Sequence, residues 1–130
     1  MNRRKSLQAL AAITAGAAAI PAAAAPGPIQ LHVNLEVDPA RESEFIANFR
    51  KVFQPTIRKQ AGFVDVKLLK FRQAMVGGGP GAFNYRLLIS FQTEELRQKW
   101  VASADHQQAW PTLEKCLKGA KYVPWLYDVV

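Results

Sequence analysis

Cysteine is almost missing from this chain: Cys116 is the only one among 130 residues. One thiol cannot close an internal disulfide, so the fold must rest on its apolar core. Zinc-ligand spacing, a paired-carboxylate arrangement, a nucleotide-binding glycine pattern and a nucleophile elbow are all lacking. No apolar run reaches the roughly 20 residues of a permanent membrane helix. Basic clustering is lacking too. Removing three leader cations from 17 leaves 14 against 10 acids, a net +4, and these charges are scattered as a solvated surface would have them. A nucleic-acid partner is therefore not expected.

What is present begins with a leader. Arg3, Arg4 and Lys5 precede a small-apolar run from Ala9 to Ala19 and then an alanine tract, the order of a secretory signal peptide. Asn2-Arg3-Arg4-Lys5-Ser6 is similar to a twin-arginine signal with Ser6 in place of the usual aromatic, and the general secretory route stays open beside it. The expectation is a signal peptide over residues 1–25, a single domain over 26–130, and an exported product, periplasmic or secreted, with no anchor after cleavage. Leu113 and Leu117 flank Cys116 at helical spacing, which places that thiol in packing.

Residues 30–37 alternate strictly, with Leu31, Val33, Leu35 and Val37 on one side and His32, Asn34 and Glu36 on the other, the pattern of a half-buried strand. Asp38 can cap a helix opened by Pro39. Phe45, Phe49, Val52 and Phe53 share one helical face, and Pro55 should kink or end that helix near Phe53. Residues 63–72 and 83–91 read as strands of a hairpin around the loop Gly77-Gly78-Gly79-Pro80-Gly81, which opens no helix and so cradles no phosphate. Thr93 caps a second helix, Ser103 a further turn, Pro111 opens another and Gly119 stands where a helix stops. Residues 121–129 make a last strand, with Pro124 marking an edge or a bulge.

This order is the ferredoxin-like βαββαβ arrangement, an α+β fold with a four-stranded antiparallel sheet and two helices on one face. Two helices cover one face only. The apolar row of the first strand should meet them. His32, Asn34 and Glu36 should then lie on the open side with Phe63, Asp65, Lys67, Leu69 and Phe71, a face suited to a homodimer enclosing a pocket.

Val37-Asp38-Pro39-Ala40 leading into Glu44-Phe45, then Pro55-Thr56 and Gly62-Phe63, and above all Phe91 through Ser103-Ala104-Asp105-His106, resemble the antibiotic biosynthesis monooxygenase family over about residues 29–129. The resemblance implies a dimeric α/β barrel. It also implies a family holding quinol and polyketide oxygenases without metal or flavin, haem-degrading members and members of no known activity. In the haem-degrading branch Trp100 matches an indole of the second helix, but Trp110 stands where the iron-ligating histidine would. His32 or Asn34 falls near an asparagine of that branch. A protein without cofactor is favoured over a haem protein, in which His106 would be the substitute ligand.

Among candidate residues, His106 can serve as a general base toward a phenolic or quinol hydroxyl, or simply pack and cap its helix. His32 and Asn34 can bind a ligand carbonyl or bond across a dimer interface. Trp100, Trp110, Tyr85, Phe91 and Trp125 form either an aromatic wall for a planar substrate or plain core, and Arg86 can pair with an acidic ligand group. Two functions fit. One is a cofactor-independent monooxygenase acting on a small aromatic or quinol-like substrate, with His106 or His32 as base and Asn34 orienting. The other is a non-catalytic exported dimeric protein binding a small hydrophobic molecule or haem. In either case the pocket is expected between the open sheet face and the second helix.

Overall fold

A computed structural model describes residues 27–130, so the expected leader and its cleavage site lie outside the described residues. The alternating segment forms strand β1 (Ile29–Val37). Asp38 ends it by accepting a hydrogen bond from the Ala40 amide at 3.0 Å, and Pro39 opens a short 3-10 turn into α1 (Glu42–Asn48). The helical path does not stop at Phe53. It passes through a wide π turn over Phe49–Phe53 and continues as α2 (Gln54–Ile57). Pro55 has no amide to donate, and its ring would strike the carbonyl four residues back. A locally widened turn just before it absorbs both defects without ending the helix.

Strands β2 (Phe63–Lys70) and β3 (Tyr85–Phe91) form the expected hairpin. Helix α3 (Glu94–Ala102) starts at Thr93, whose hydroxyl accepts from the Leu96 amide at 3.1 Å. Ser103 separates it from α4 (Ala104–Glu114) and caps that helix through the His106 amide at 3.2 Å. Pro111 opens no new turn, since it lies inside α4 on an exposed side. Strand β4 (Leu117–Asp128) begins earlier than expected. Gly119 ends no helix either. With Ala120 it takes positive φ in a bulge of β4, where the register against β1 jumps between Leu35 and Val37.

The four strands pair antiparallel in the order β2-β3-β1-β4. Pro124 thus sits on an edge strand, paired with Val33, where its missing amide costs no second ladder. The apolar row of β1 meets the helices as the alternation predicts, and Leu35, Leu87, Phe45, Phe53 and Phe91 are fully buried there. One assignment to the open face fails. A register shift between Phe63 and Asp65 turns Phe63 inward, edge-on to Phe91 at 6.1 Å, while Asp65, Lys67 and Leu69 oppose Ser90, Leu88 and Arg86 on the open side. A bulge inserts one residue and so reverses the face of what precedes it.

Candidate functional site

The helices cover the β4 edge of the sheet only in part. Tyr122 is 40% exposed although it points to the helix side, and the gap left there is a cavity of about 390 Å³. Its floor is Leu31, Val33, Leu87 and Ile89 of the sheet, its far wall Tyr122, Pro124 and Leu126 of β4, and its near wall Phe53, Trp100, His106 and Trp110. These side chains converge for local reasons. Trp100 lies in the last turn of α3, and Ser103 turns the chain by donating its hydroxyl to the Trp100 carbonyl at 2.6 Å while capping α4. The turn brings His106 back under the indole. The imidazole stands edge-on to Trp100 at 4.9 Å and roughly parallel to Trp110 at 6.5 Å. Trp110 in turn meets Tyr122 edge-on at 5.0 Å, and Phe53 of the π turn meets Trp100 at 5.9 Å.

The environment of His106 decides its charge. Burial first, and the Arg97 guanidinium second, hold its imidazole below the ordinary histidine value. It is therefore neutral at pH 7 and able to accept a proton. Asp105 makes no hydrogen bond to it; the Asp105 carboxylate accepts from Gln60 at 2.9 Å, which ties α4 to the turn after α2. Ser103 engages only the His106 backbone. The capping role of this turn thus belongs to Ser103 and leaves the imidazole free.

The expectation that His32 and Asn34 share a pocket with Trp100 and His106 is not met. They project from the opposite face of the sheet, as their alternation with Leu31 and Val33 requires. His32 Nε2 donates to Gln30 Oε1 at 2.6 Å, and its ring leans on Tyr127 at 4.5 Å. Burial first and Arg86 second lower its pKa. Asn34, buried, accepts from Arg86 Nε at 3.0 Å and donates to the Val123 carbonyl at 3.4 Å. Trp125 opposes His32 on the same open face and is 50% exposed.

Of the aromatic residues expected in one wall, only Trp100 and Trp110 line this cavity. Phe91 is core beneath α3. Tyr85, also on the helix side, donates its hydroxyl to Glu42 at 2.5 Å, and Lys70 pairs with the same carboxylate at 2.7 Å. Burial and Glu42 push the Tyr85 phenol above its usual value. Arg86 lines a wider groove of about 580 Å³ on the open side with Asn34, Lys70 and Phe71. Among the described residues that groove is lined by no histidine, which makes the smaller cavity the candidate for acid–base chemistry.

Residues missed from the sequence are Arg97 of α3 and Tyr122, Pro124 and Leu126 of β4. The signals existed: Arg97 precedes Trp100 by three positions, neighbours on one helical face, and the three β4 residues alternate with Trp125 and so face away from it. Among the described residues no three of His, Cys, Asp and Glu cluster as a metal site requires.

No protein-family profile matches the chain, and no curated protein matches it by sequence. Solved structures do. A candidate antibiotic biosynthesis monooxygenase from Bordetella bronchiseptica superposes with a TM-score of 0.65 at 21% identity, over 80% of this chain and 98% of that one. SnoaB, a cofactor-independent oxygenase from Streptomyces nogalater, gives 0.63 at 16%, over 79% and 93%. A dimeric ferredoxin-like protein of unknown function from Jannaschia sp. CCS1 gives 0.67 at 14%, over 79% and 100%. The chain has the ferredoxin-like fold of the antibiotic biosynthesis monooxygenase structures, the fold that the Ser103-x-Asp105-His106 resemblance implies.

Proposed function

We propose that this protein is a cofactor-independent monooxygenase acting on a small, planar, electron-rich aromatic or quinol-like molecule in the cavity beside His106. The observation that carries this reading is a neutral imidazole set between two indoles in a largely apolar cavity. Trp100 is only 2% exposed and fixes one wall, and Trp110 offers a second planar surface. His106 takes the proton of a ring hydroxyl. The resulting anion, held away from water, is electron-rich enough to react directly with dioxygen. Where a ring CH₂ becomes a carbonyl, the substrate supplies all four electrons, one oxygen atom enters it and the other leaves as water. The name of SnoaB supports an enzyme that needs no cofactor.

We further propose that the protein is exported by its leader and works as a homodimer through the open sheet face, where Leu69, Leu88, Trp125 and Tyr127 are incompletely covered. The description of the Jannaschia protein as dimeric supports this assembly. His32, Asn34 and Arg86 are then interface residues rather than catalytic ones.

Oxygen uptake with anthrone- and quinol-type compounds tests the enzyme. His106→Ala should lower turnover by roughly two to four powers of ten while the fold persists. The wild-type rate should fall on the acid side with an apparent pKa below the ordinary histidine value of about 6.5. An unchanged rate in the variant removes His106 from the mechanism. Ligand uptake without oxygen consumption would make this the exported binding protein that the same cavity permits.

A further inference from the structure

Among the described residues the one charged side chain that lines the cavity beside the neutral His106 is Arg97. Its side chain is 17% exposed. Nε donates to Glu94 Oε1 and Nη2 to Glu94 Oε2, each at 2.6 Å, so the guanidinium is gripped along one edge by a carboxylate one turn earlier. Gln98 donates to Glu94 Oε2 at 2.9 Å and steadies the grip. A guanidinium carries five N–H donors. Among the described residues Nη1 has no protein partner, although the plane in which it lies is already set.

We propose that the cavity takes its ligand as an oxyanion, with the free Nη1 edge of Arg97 as the group that selects for it and Glu94 as the group that limits how strongly it does. The proposal rests on the reading of this cavity as the ligand site and names the ionic form that the site accepts. Two observations and one general rule carry it. Among the described residues no carboxylate lines the cavity, and its remaining lining, His106 aside, is aromatic or aliphatic. An anion entering such a space loses water and needs a fixed cation to replace it. Arg97 is held by Glu94 in advance, so little side-chain entropy is lost on binding.

The ligand class follows from the partner base. Moving a proton from an ordinary phenol, near 10, to an imidazole at or below about 6.5 is unfavourable by three or more powers of ten. A ring hydroxyl conjugated through the ring to a carbonyl is far more acidic. It reaches the cavity ionised or gives its proton to His106 with little penalty. In the latter case the O–H bond breaks, the proton moves to the imidazole nitrogen, and the oxygen left behind rests against Arg97. Hydroxyquinone-like molecules therefore fit the site better than simple phenols.

The test is equilibrium binding of 2-hydroxynaphthoquinone, ionised at neutral pH, and of its methyl ether, which cannot ionise, followed by quenching of tryptophan fluorescence in a Trp125→Phe background. The purified chain of that background should bind the anion about tenfold or more tightly than the ether, the span of one or two charge-assisted hydrogen bonds. Arg97→Gln should bring the two within about twofold of each other by weakening the anion alone. Glu94→Gln should move the ratio the opposite way, because Arg97 loses its neutralising partner. Equal binding of the two probes, no binding of either, a preference that survives Arg97→Gln, or a ratio lowered by Glu94→Gln would each overturn the proposal. Binding requires no turnover. An Arg97-dependent preference in a protein that consumes no oxygen would sink the oxygenase reading alone, and turnover without that preference would sink this one alone.

Discussion

Gly62, between α2 and β2, offers the most stringent check on how the site is held. Its φ is +81°, a left-handed conformation, and a Cβ added there would collide with Leu96 Cδ1 and lie 2.9 Å from Leu96 Cβ. Gly62→Ala meets two costs. A non-glycine residue in this region costs about 1–2 kcal/mol, and forced overpacking about 1–3 kcal/mol. Reduced freedom of the unfolded chain returns roughly 0.4–1 kcal/mol. The net is destabilisation of about 1–4.6 kcal/mol, which at ~4–8 °C per kcal/mol for a domain this size lowers Tm by at least about 4 °C. Leu96 Cδ1 can swing aside, but Cβ moves only with the backbone. The start of α3 must therefore shift, and with it Arg97 and Trp100. Thermal melts of Gly62→Ala, Leu96→Ala and the double variant measure this. Removing the Leu96 side chain beyond Cβ relieves part of the overlap, so the double variant should lose about 1–2 kcal/mol less than the two single losses added. A single variant melting within about 2 °C of wild type, or strictly additive losses, would refute the steric argument.

The remaining predictions concern assembly, pH and export. Leu69, opposite Arg86 on the open face and 43% exposed, is expected at a dimer interface. Light scattering should give about twice the monomer mass for wild type and a folded monomer for Leu69→Asp, whereas a folded wild-type monomer at micromolar concentration would contradict the assembly. His32 and His106 both have lowered pKa values. Between those values and about 6.5 the unfolded chain binds more protons than the folded one, so stability falls as pH drops through that window. Urea midpoints should be lower at about pH 5.5 than at pH 7.5, with the difference reduced in His32→Gln and His106→Gln, and an unchanged midpoint would show that neither imidazole is held neutral. Glu42, Glu44 and Glu94, whose pKa values are also lowered, lose their contribution only in more acid solution, below the ordinary carboxylate value. Intact mass of material from the native envelope should show a chain starting between Ala23 and Pro26, and full-length protein in the cytoplasm would remove the export proposal.

Where local chemistry governs, the structure could be read from the residues. The strict alternation of Leu31, Val33, Leu35 and Val37 against His32, Asn34 and Glu36 sorted β1 into two faces because successive side chains of a strand must point apart. Asp38, Thr93 and Ser103 placed helix starts because their side chains satisfy orphan amides, and Pro124 placed β4 at an edge because it cannot donate. Long-range geometry escaped the same reading. Pro55 announces a defect in a helix, but only the surrounding core decides whether the chain breaks or widens into a π turn. A one-residue bulge beside Asp65 has no local signature, and it alone turned Phe63 inward.

The candidate site divides along the same line. The sequence by itself determined that Trp100, His106 and Trp110 would come together, because Ser103 forces a turn between two helices and the three rings lie on either side of it within eleven residues. Which sheet face those rings meet was a tertiary decision. The open face is the available space if two helices cannot cover both sides, yet the helices also leave part of their own face beside β4 uncovered. That gap, bounded by Tyr122, Pro124 and Leu126 from the far end of the chain, made the cavity on the helix side and left His32 and Asn34 behind the sheet. Periodicity tells which residues point together along one element. Where two elements fail to meet depends on how far each extends across its neighbour, and that only the packed structure decides.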